Sequence, residues 1–189
     1  MVNLLTSIKT LEPFLINFNA QFHLAAITKQ TNIPHPTARL LLNSLEEEGV
    51  LNKEYKGRLT LYSLNKSYPN LVNILTIAEK IKIIEKSKNE LLLRELIVFF
   101  NESQQESAKI IIFGSGVQSI KQANDIDILF IGKPEQQKIK EFSKKINKEI
   151  HLIILKSLNN VSTALKKEIC KKHLILQGSE EVIQWMLKE

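Results

Sequence analysis

Two aspartates placed one residue apart, after a run of apolar residues, constrain the fold of this chain more than any other feature of its sequence. Asp125 and Asp127 are the only aspartates among its 20 acidic residues. A mostly apolar segment at 109–113 is followed by Gly114-Ser115, and Asp125-Ile126-Asp127 begins a second segment that continues as an apolar run. Because side chains alternate along a strand, residues i and i+2 share a face. The sequence therefore predicts two strands joined by a loop, with both carboxylates on one face of the second strand.

This arrangement is typical of a site for a cation and a phosphate. Mg²⁺ is a hard cation that proteins commonly hold through one or two carboxylates together with phosphate oxygens. The turn at Gly114-Ser115 can present backbone N–H groups and a hydroxyl to a polyphosphate. All the other acidic residues are glutamates, so the shorter carboxylate is used only where the geometry of a metal site would be strict.

The same segment resembles the minimal nucleotidyltransferase family of the DNA polymerase beta-like superfamily. The signature of that family is an apolar strand, Gly-Ser or Gly-Gly, a loop, and then Asp-x-Asp or Asp-x-Glu on the next strand. The resemblance covers about residues 90–189, since the end of the chain also resembles the usual C-terminal sequence of the family. It implies a small mixed sheet with flanking helices, in which Gly114 and Ser115 bind a nucleoside triphosphate and Asp125 and Asp127 ligate Mg²⁺.

The chain departs from this family at two places. Members normally have a third carboxylate on a later strand, which completes the metal site and helps to activate the attacking hydroxyl. In the matching strand, 149–155, His151 occupies the place of that aspartate, and Glu149 lies two residues earlier on the same face. A basic residue of the glycine-rich loop is replaced by Gln118.

These departures leave catalysis open, because phosphoryl transfer depends on positioning and on neutralisation of phosphate charge. Asp125, Asp127, His151 and Glu149 are the candidate catalytic residues. Glu149 is a less well placed substitute for the missing carboxylate. His151 fits a general base or an alternative ligand, and equally a strand-end histidine with no role.

The first 68 residues have a different pattern, in which helical spacing of apolar residues gives way to alternation. The predicted elements are helices over 4–18 (with a break at Pro13), 24–31 and 36–48, then strands over 50–55 and 58–64 with a turn at Lys56-Gly57. Gly49, at the end of the third helix, is a residue type that favours helix termination. The chain thus begins with three helices and a hairpin.

This order resembles the winged helix-turn-helix superfamily over about residues 5–66. The resemblance implies that the third helix enters the DNA major groove and the hairpin lies along the backbone. The candidate DNA-binding residues, all of types that reach base edges or phosphates, are His35, Thr37, Arg39, Asn43, Lys53, Lys56 and Arg58. Winged helices also serve as protein-interaction or dimerisation modules, and this alternative stays open.

Composition and charge limit the remaining classes. The net charge of +6 and the 43% of hydrophobic residues favour a folded protein with an anionic partner. A single cysteine, Cys170, excludes an internal disulfide and a cysteine-based zinc cluster. No apolar run approaches the roughly 20 residues that cross a bilayer, and Met1–Thr6 lacks the order of a signal peptide. We therefore expect a cytoplasmic protein without a membrane partner.

The expected fold class is α+β with two domains. We predict a winged helix-turn-helix over 1–68, a helical linker over 69–106 and a nucleotidyltransferase-like domain over 107–189 that begins as early as residue 90. The linker is apolar around most of its circumference, so it packs between the domains or pairs with a second chain. A homodimer is the expected assembly.

Two functions fit these features. The first is a transcriptional regulator that binds double-stranded DNA and uses its nucleotidyltransferase-like domain to bind a nucleotide or a protein partner. The second is an active Mg²⁺-dependent nucleotidyltransferase that moves a nucleoside monophosphate from a nucleoside triphosphate to a hydroxyl on a protein, RNA or small molecule, as family members paired with toxins do. A scaffold that assembles with another protein is a third possibility.

Overall fold

The structure, a computed structural model, describes residues 4–102 and 107–188. Its helices and its two sheets confirm the α+β class. Contacts divide the chain into two compact units between Lys82 and Ile83. Two segments lie outside the described residues. Met1–Asn3 is the start of the segment that we compared with a signal peptide, and residues 103–106 are those at which the linker was predicted to end.

The helices of the first unit follow the apolar spacing of the sequence. They are α1 (Leu4–Lys9), α2 (Glu12–Ile16), α3 (Leu24–Thr31) and α4 (His35–Glu47). The segment predicted as one helix over 4–18 forms two helices. Pro13 lies in the first turn of the second helix, where a backbone N–H would have no partner within the helix, so proline is tolerated there. The helices α3 and α4 are confirmed, and Gly49 follows α4 with a φ of 80°, as a C-terminal glycine does.

A small antiparallel sheet completes the first unit. It contains β1 (Phe22–His23), β2 (Leu51–Lys56) and β3 (Leu59–Leu64), in the order β1-β3-β2. The hairpin is confirmed, but its turn is Gly57-Arg58 rather than Lys56-Gly57, since Lys56 pairs with Leu59. A two-residue loop favours positive φ at its first residue, and Gly57 has a φ of 60°. The short strand β1 was not predicted from the sequence.

The predicted linker forms two helices, α5 (Leu71–Lys88) and α6 (Leu91–Glu102). The division between the units falls within α5. Ile77 and Ile84 of this helix are exposed, by 42% and 57%. No helix in the described ranges is long and apolar enough to cross a membrane.

The second unit contains a mixed four-stranded sheet. Its elements are β4 (Lys109–Phe113), β5 (Asp125–Ile131), α7 (Gln136–Ile146), β6 (Glu149–Leu155), α8 (Thr163–Lys171), β7 (His173–Gln177) and α9 (Ser179–Leu187). The strand order is β6-β5-β4-β7, with β5 and β6 parallel and the other pairs antiparallel. The predicted strands 109–113, 125–131 and 149–155 are confirmed.

One face of this sheet forms the main core of the second unit. Its side chains, among them Ile126, Ile128 and Phe130 of β5, pack with buried residues of α6 and α7 such as Leu96 and Phe142. Because neighbouring residues of a strand point to opposite faces, the core on one face of β5 leaves Asp125 and Asp127 on the other.

Candidate functional site

The pairing of β5 with β6 brings four polar side chains to one face of the second sheet. The parallel register aligns Asp125 with Glu149 and Asp127 with His151. Partners in register share a face, and so do residues two apart on one strand. Asp125, Asp127, Glu149 and His151, named here the Asp–His cluster, therefore lie together at the start of both strands.

The distances within the Asp–His cluster are short. The Nδ1 atom of His151 lies 3.2 Å from Oδ2 of Asp125 and 3.6 Å from Oδ1 of Asp127. The other ring nitrogen, Nε2, lies 3.2 Å from Oε1 of Glu149. One ligand atom each from Asp125, Asp127 and His151 lies within 4.8 Å of the other two. This donor set fits a divalent cation, with the imidazole in the position where the resemblance implied a carboxylate.

The carboxylates shape the electrostatics of the Asp–His cluster. Burial raises the pKa of the Asp127 carboxyl above its ordinary value, and the nearby negative charge of Asp125 raises it further. The hydrogen bond to Glu149 raises the pKa of the His151 imidazole, and the two aspartates add to that shift. Glu168 of α8 also raises the pKa of Asp127, so four carboxylates act on this small region.

The Gly-Ser turn lies directly against the Asp–His cluster. Gly114 has a φ of 70°, and a Cβ atom on it would lie 2.7 Å from Oδ2 of Asp127. Residues Gly114–Val117 form a short 3₁₀ turn, and Ser115 is exposed. Glycine is required here by both the backbone conformation and the close approach of the carboxylate. The structure thus brings Gly114 and Asp127 together, as the sequence motif suggested.

Three charged side chains that sequence analysis missed hold the loop between the Gly-Ser turn and β5. Lys86 Nζ donates to the carbonyl of Gln118 at 2.6 Å. Glu90 Oε1 accepts from the backbone N–H of Lys121 at 3.2 Å and from that of Ile120. Lys148 Nζ donates to the carbonyl of Lys121 at 2.9 Å. Lys86 therefore contacts the backbone of Gln118, the position at which the resemblance implied a basic residue.

In the first unit, α4 and the hairpin line a groove of about 490 Å³. Among the described residues, its lining includes two tyrosines, no carboxylate and five of the seven predicted DNA-binding residues, namely His35, Arg39, Asn43, Lys53 and Arg58. Lys53 Nζ also lies 5.7 Å from the centre of the Tyr55 ring. A groove with this lining is suited to an anionic, partly aromatic ligand such as nucleic acid.

The other two predicted residues, Thr37 and Lys56, do not line this groove. Thr37 is exposed on the first turns of α4. Lys56 Nζ donates to the Gln21 side chain at 3.2 Å and lies 3.7 Å from a carboxylate oxygen of Glu54. The charge of Lys56 is therefore partly balanced within the protein.

Asn43 has contacts within the protein that the sequence did not indicate. Its Oδ1 atom accepts hydrogen bonds from Lys53 Nζ at 2.9 Å and from the Tyr62 hydroxyl at 3.2 Å. These bonds join α4 to β2 and β3. Asn43 thus fixes the position of the Lys53 ammonium group beside α4.

Comparison with known proteins gives little further guidance. No family model matches the chain, and no curated protein matches it. A similar solved structure is that of TrmBL2, an archaeal chromatin protein whose structure shows a novel mode of DNA binding. The identity is 16% and the TM-score 0.27, over 78% of this chain and 64% of that chain. The chain thus spans less than two thirds of the length of that protein.

Proposed function

We propose that the protein is a transcriptional regulator that binds double-stranded DNA through a winged helix-turn-helix in its first unit. The observation that carries this proposal is the groove between α4 and the hairpin, whose described lining includes Arg39, Lys53 and Arg58 and no carboxylate. Phosphate contacts by such side chains supply most of the affinity of nonspecific DNA binding. Glu46 acts on Lys53 from outside the groove, and the described lining itself places no carboxylate between these cations and an anionic ligand.

The exposure of α4 supports this mode of binding. Thr37 and Arg39 are exposed while Ala38, Leu41 and Leu42 are buried, so the helix is held by one face and presents the other. In a winged helix the exposed face enters the major groove, and the hairpin follows the backbone. We assign base contacts to Thr37 and Arg39, and phosphate contacts to Lys53 and Arg58.

Binding to double-stranded DNA from its own promoter region tests this proposal. We expect affinity to fall steeply with salt, because each phosphate contact releases counterions. Arg39→Ala should weaken binding by about 1–3 kcal/mol, measured by fluorescence anisotropy at fixed salt. Lys66→Ala, an exposed lysine that does not line the groove, is the matched control. Unchanged affinity in Arg39→Ala, or no binding at low salt, would contradict the proposal and favour a protein-interaction module.

For the second unit we propose a nucleotidyltransferase-like domain that binds a nucleotide or a protein partner. The contact of Gly114 with Asp127 and the shared face of Asp125 and Asp127 support a site for a divalent cation and a nucleoside triphosphate. Mg²⁺ is the cation that the two aspartates alone would select. The exposed Ile77 and Ile84 of α5 support a homodimer, and we propose that the regulator acts in the cytoplasm.

The alternative function is an active nucleotidyltransferase, favoured by the same close approach of the Gly-Ser turn to the aspartates. Incubation with α-labelled nucleoside triphosphates, Mg²⁺ and cell extract should then label a protein, RNA or small molecule. We expect Asp127→Ala to remove at least about 99% of the label, because electrostatic stabilisation provides most of the catalysis of phosphoryl transfer. Glu135→Gln, which changes an exposed carboxylate on another part of the unit, is the control. Label transfer that survives in Asp127→Ala would exclude this site as its source.

A further inference from the structure

We propose that Asp125, Asp127 and His151 bind a divalent transition cation, Mn²⁺ or Zn²⁺, in preference to Mg²⁺, with Glu149 orienting the histidine. This inference rests on the cation site of the proposed function and deepens it by naming the class of metal. Imidazole nitrogen suits zinc and the other later transition metals, carboxylate oxygen suits Mn²⁺ as well as Mg²⁺, and Mg²⁺ is held almost entirely by oxygen. The replacement of an expected carboxylate by His151 therefore changes which cation the site selects.

The geometry of the Asp–His cluster supports a shared ligand sphere. Ligand atoms about 2.1 Å from one cation, in tetrahedral or octahedral arrangement, lie about 3.0–3.4 Å from each other. The Nδ1 atom of His151 lies 3.2 Å and 3.6 Å from the nearest oxygens of Asp125 and Asp127. All three ligand atoms lie within 4.8 Å of one another, and these side chains are partly exposed, so they have room to rotate towards a shared cation.

The contact between Glu149 and His151 is also of the kind found at metal sites. A histidine that ligates a metal through one ring nitrogen almost always donates the other N–H to a carboxylate, carbonyl or water. The Nε2 atom of His151 lies 3.2 Å from Oε1 of Glu149, while Nδ1 faces the two aspartates. With its proton on Nε2, the imidazole turns a lone pair on Nδ1 towards the same point as both carboxylates. Glu149 is thus a positioning residue that fixes the tautomer.

The charge of the region also calls for a divalent cation. Asp125, Asp127 and Glu149 surround one imidazole, and Glu168 adds a fourth carboxylate that acts on Asp127. Protonation of His151 would add a single positive charge, which leaves most of this negative charge unbalanced. A divalent cation supplies two charges at the point where Asp125 and Asp127 converge.

Competitive metal binding to the chelator-stripped full chain tests the proposal. We expect one Mn²⁺ per chain, measured from the electron paramagnetic resonance signal of free Mn²⁺. Displacement titrations should show Mg²⁺ binding about tenfold or more weakly than Mn²⁺, and Zn²⁺ binding more tightly than Mn²⁺. Unfolding temperatures with and without each metal provide a second readout that requires no catalytic activity.

Three variants separate the contributions of the residues. His151→Asp makes the ligand set all-oxygen and should reduce the preference for Mn²⁺ over Mg²⁺ to a few fold. Glu149→Gln should weaken Mn²⁺ binding by about 10–100-fold, as loss of an outer-shell partner does, with circular dichroism unchanged. Glu135→Gln, an exposed carboxylate paired with Lys138, should bind Mn²⁺ like the original protein.

Two results would overturn the proposal and leave the rest of the proposed function standing. Equal affinity for Mg²⁺ and Mn²⁺, unaltered in His151→Asp, would mean that His151 is not a ligand although a cation site exists. Cation binding by His151→Asp alone would mean that a protonated His151 occupies the place of the metal. Failure of the original protein and of every variant to bind any cation would also remove the cation site from the proposed function. The DNA-binding part of that function would be unaffected.

Discussion

Replacing Arg39, Lys53 and Arg58 together with alanine is expected to weaken binding to double-stranded DNA by about 100-fold or more, because each lost contact costs at least about 1 kcal/mol. These are the arginine and lysine residues that line the groove between α4 and the hairpin. The plot of log affinity against log salt should also become shallower by roughly two, since Lys53 and Arg58 are the residues assigned to phosphate and about one counterion is released per phosphate contact. Fluorescence anisotropy over a range of salt concentrations measures both quantities.

A charge-matched control distinguishes this groove from the net charge of the protein. Lys138, Lys144 and Lys145 are exposed on α7 of the second unit, and their replacement with alanine removes the same charge. This control should retain affinity within a few fold and keep the original salt slope. A loss as large as that of the groove variant would place the DNA-binding surface on α7, or show that binding depends on overall charge alone. Circular dichroism checks that Lys53→Ala, which breaks the bond to Asn43, leaves the unit folded.

Gly114→Ala is expected to destabilise the second unit by about 2–4 kcal/mol and to abolish cation binding. A φ of 70° is strained for any residue with a Cβ atom, and that atom would lie 2.7 Å from Oδ2 of Asp127. Relief of this contact requires the carboxylate to rotate or the turn to move, and either change disrupts the Asp–His cluster. Trp185, the single tryptophan of the chain, lies in α9, so its fluorescence during urea unfolding measures the stability of this unit.

Gly178→Ala separates loss of stability from loss of the site. Gly178 has a φ of 72°, and a Cβ atom there would lie 2.5 Å from Cγ of Lys109. Lys109 begins β4, whereas Phe113, which pairs with Asp127, ends it, so this contact is far from the Asp–His cluster along the strand. We expect a similar loss of stability with cation affinity retained. Equal loss of cation binding in both variants would show that global stability, rather than the contact of Gly114 with Asp127, controls the site.

Local patterns predicted the secondary structure of segments in which apolar residues keep a single spacing, helical or alternating, along the whole element. The strands that begin at Asp125 and Glu149 have the predicted bounds, because each alternates polar and apolar residues at its start and then continues as an apolar run. The same reasoning missed β1, which has only two residues and exists through its pairing with β3. It also placed the hairpin turn one residue too early, since the composition near Gly57 permits either register and only the cross-strand pairing selects one.

The groove shows a similar limit of sequence-based prediction. Residue type identified Arg39, Lys53 and Arg58 as cations on the predicted helix and hairpin, and the structure brings them to one groove. Residue type could not separate them from Lys56, which contacts Gln21 and Glu54. Residue type also did not indicate that the Asn43 side chain accepts hydrogen bonds from Lys53 and Tyr62, because these contacts depend on how α4 packs against the sheet.

Residue type and local spacing are properties of short segments, so they identified the groups available for chemistry without knowledge of the fold. These groups are the two aspartates, the Gly-Ser turn before them and the cations of the helix and hairpin. Which of them come into contact depends on the tertiary fold. The parallel register of β5 and β6 places His151 beside Asp127 and Glu149 beside Asp125, and the pairing of distant segments brings Lys86 and Glu90 to the loop at 118–121. Such contacts join residues that are far apart in the chain, so their formation depends on the packing of the whole sheet and its helices rather than on any local pattern.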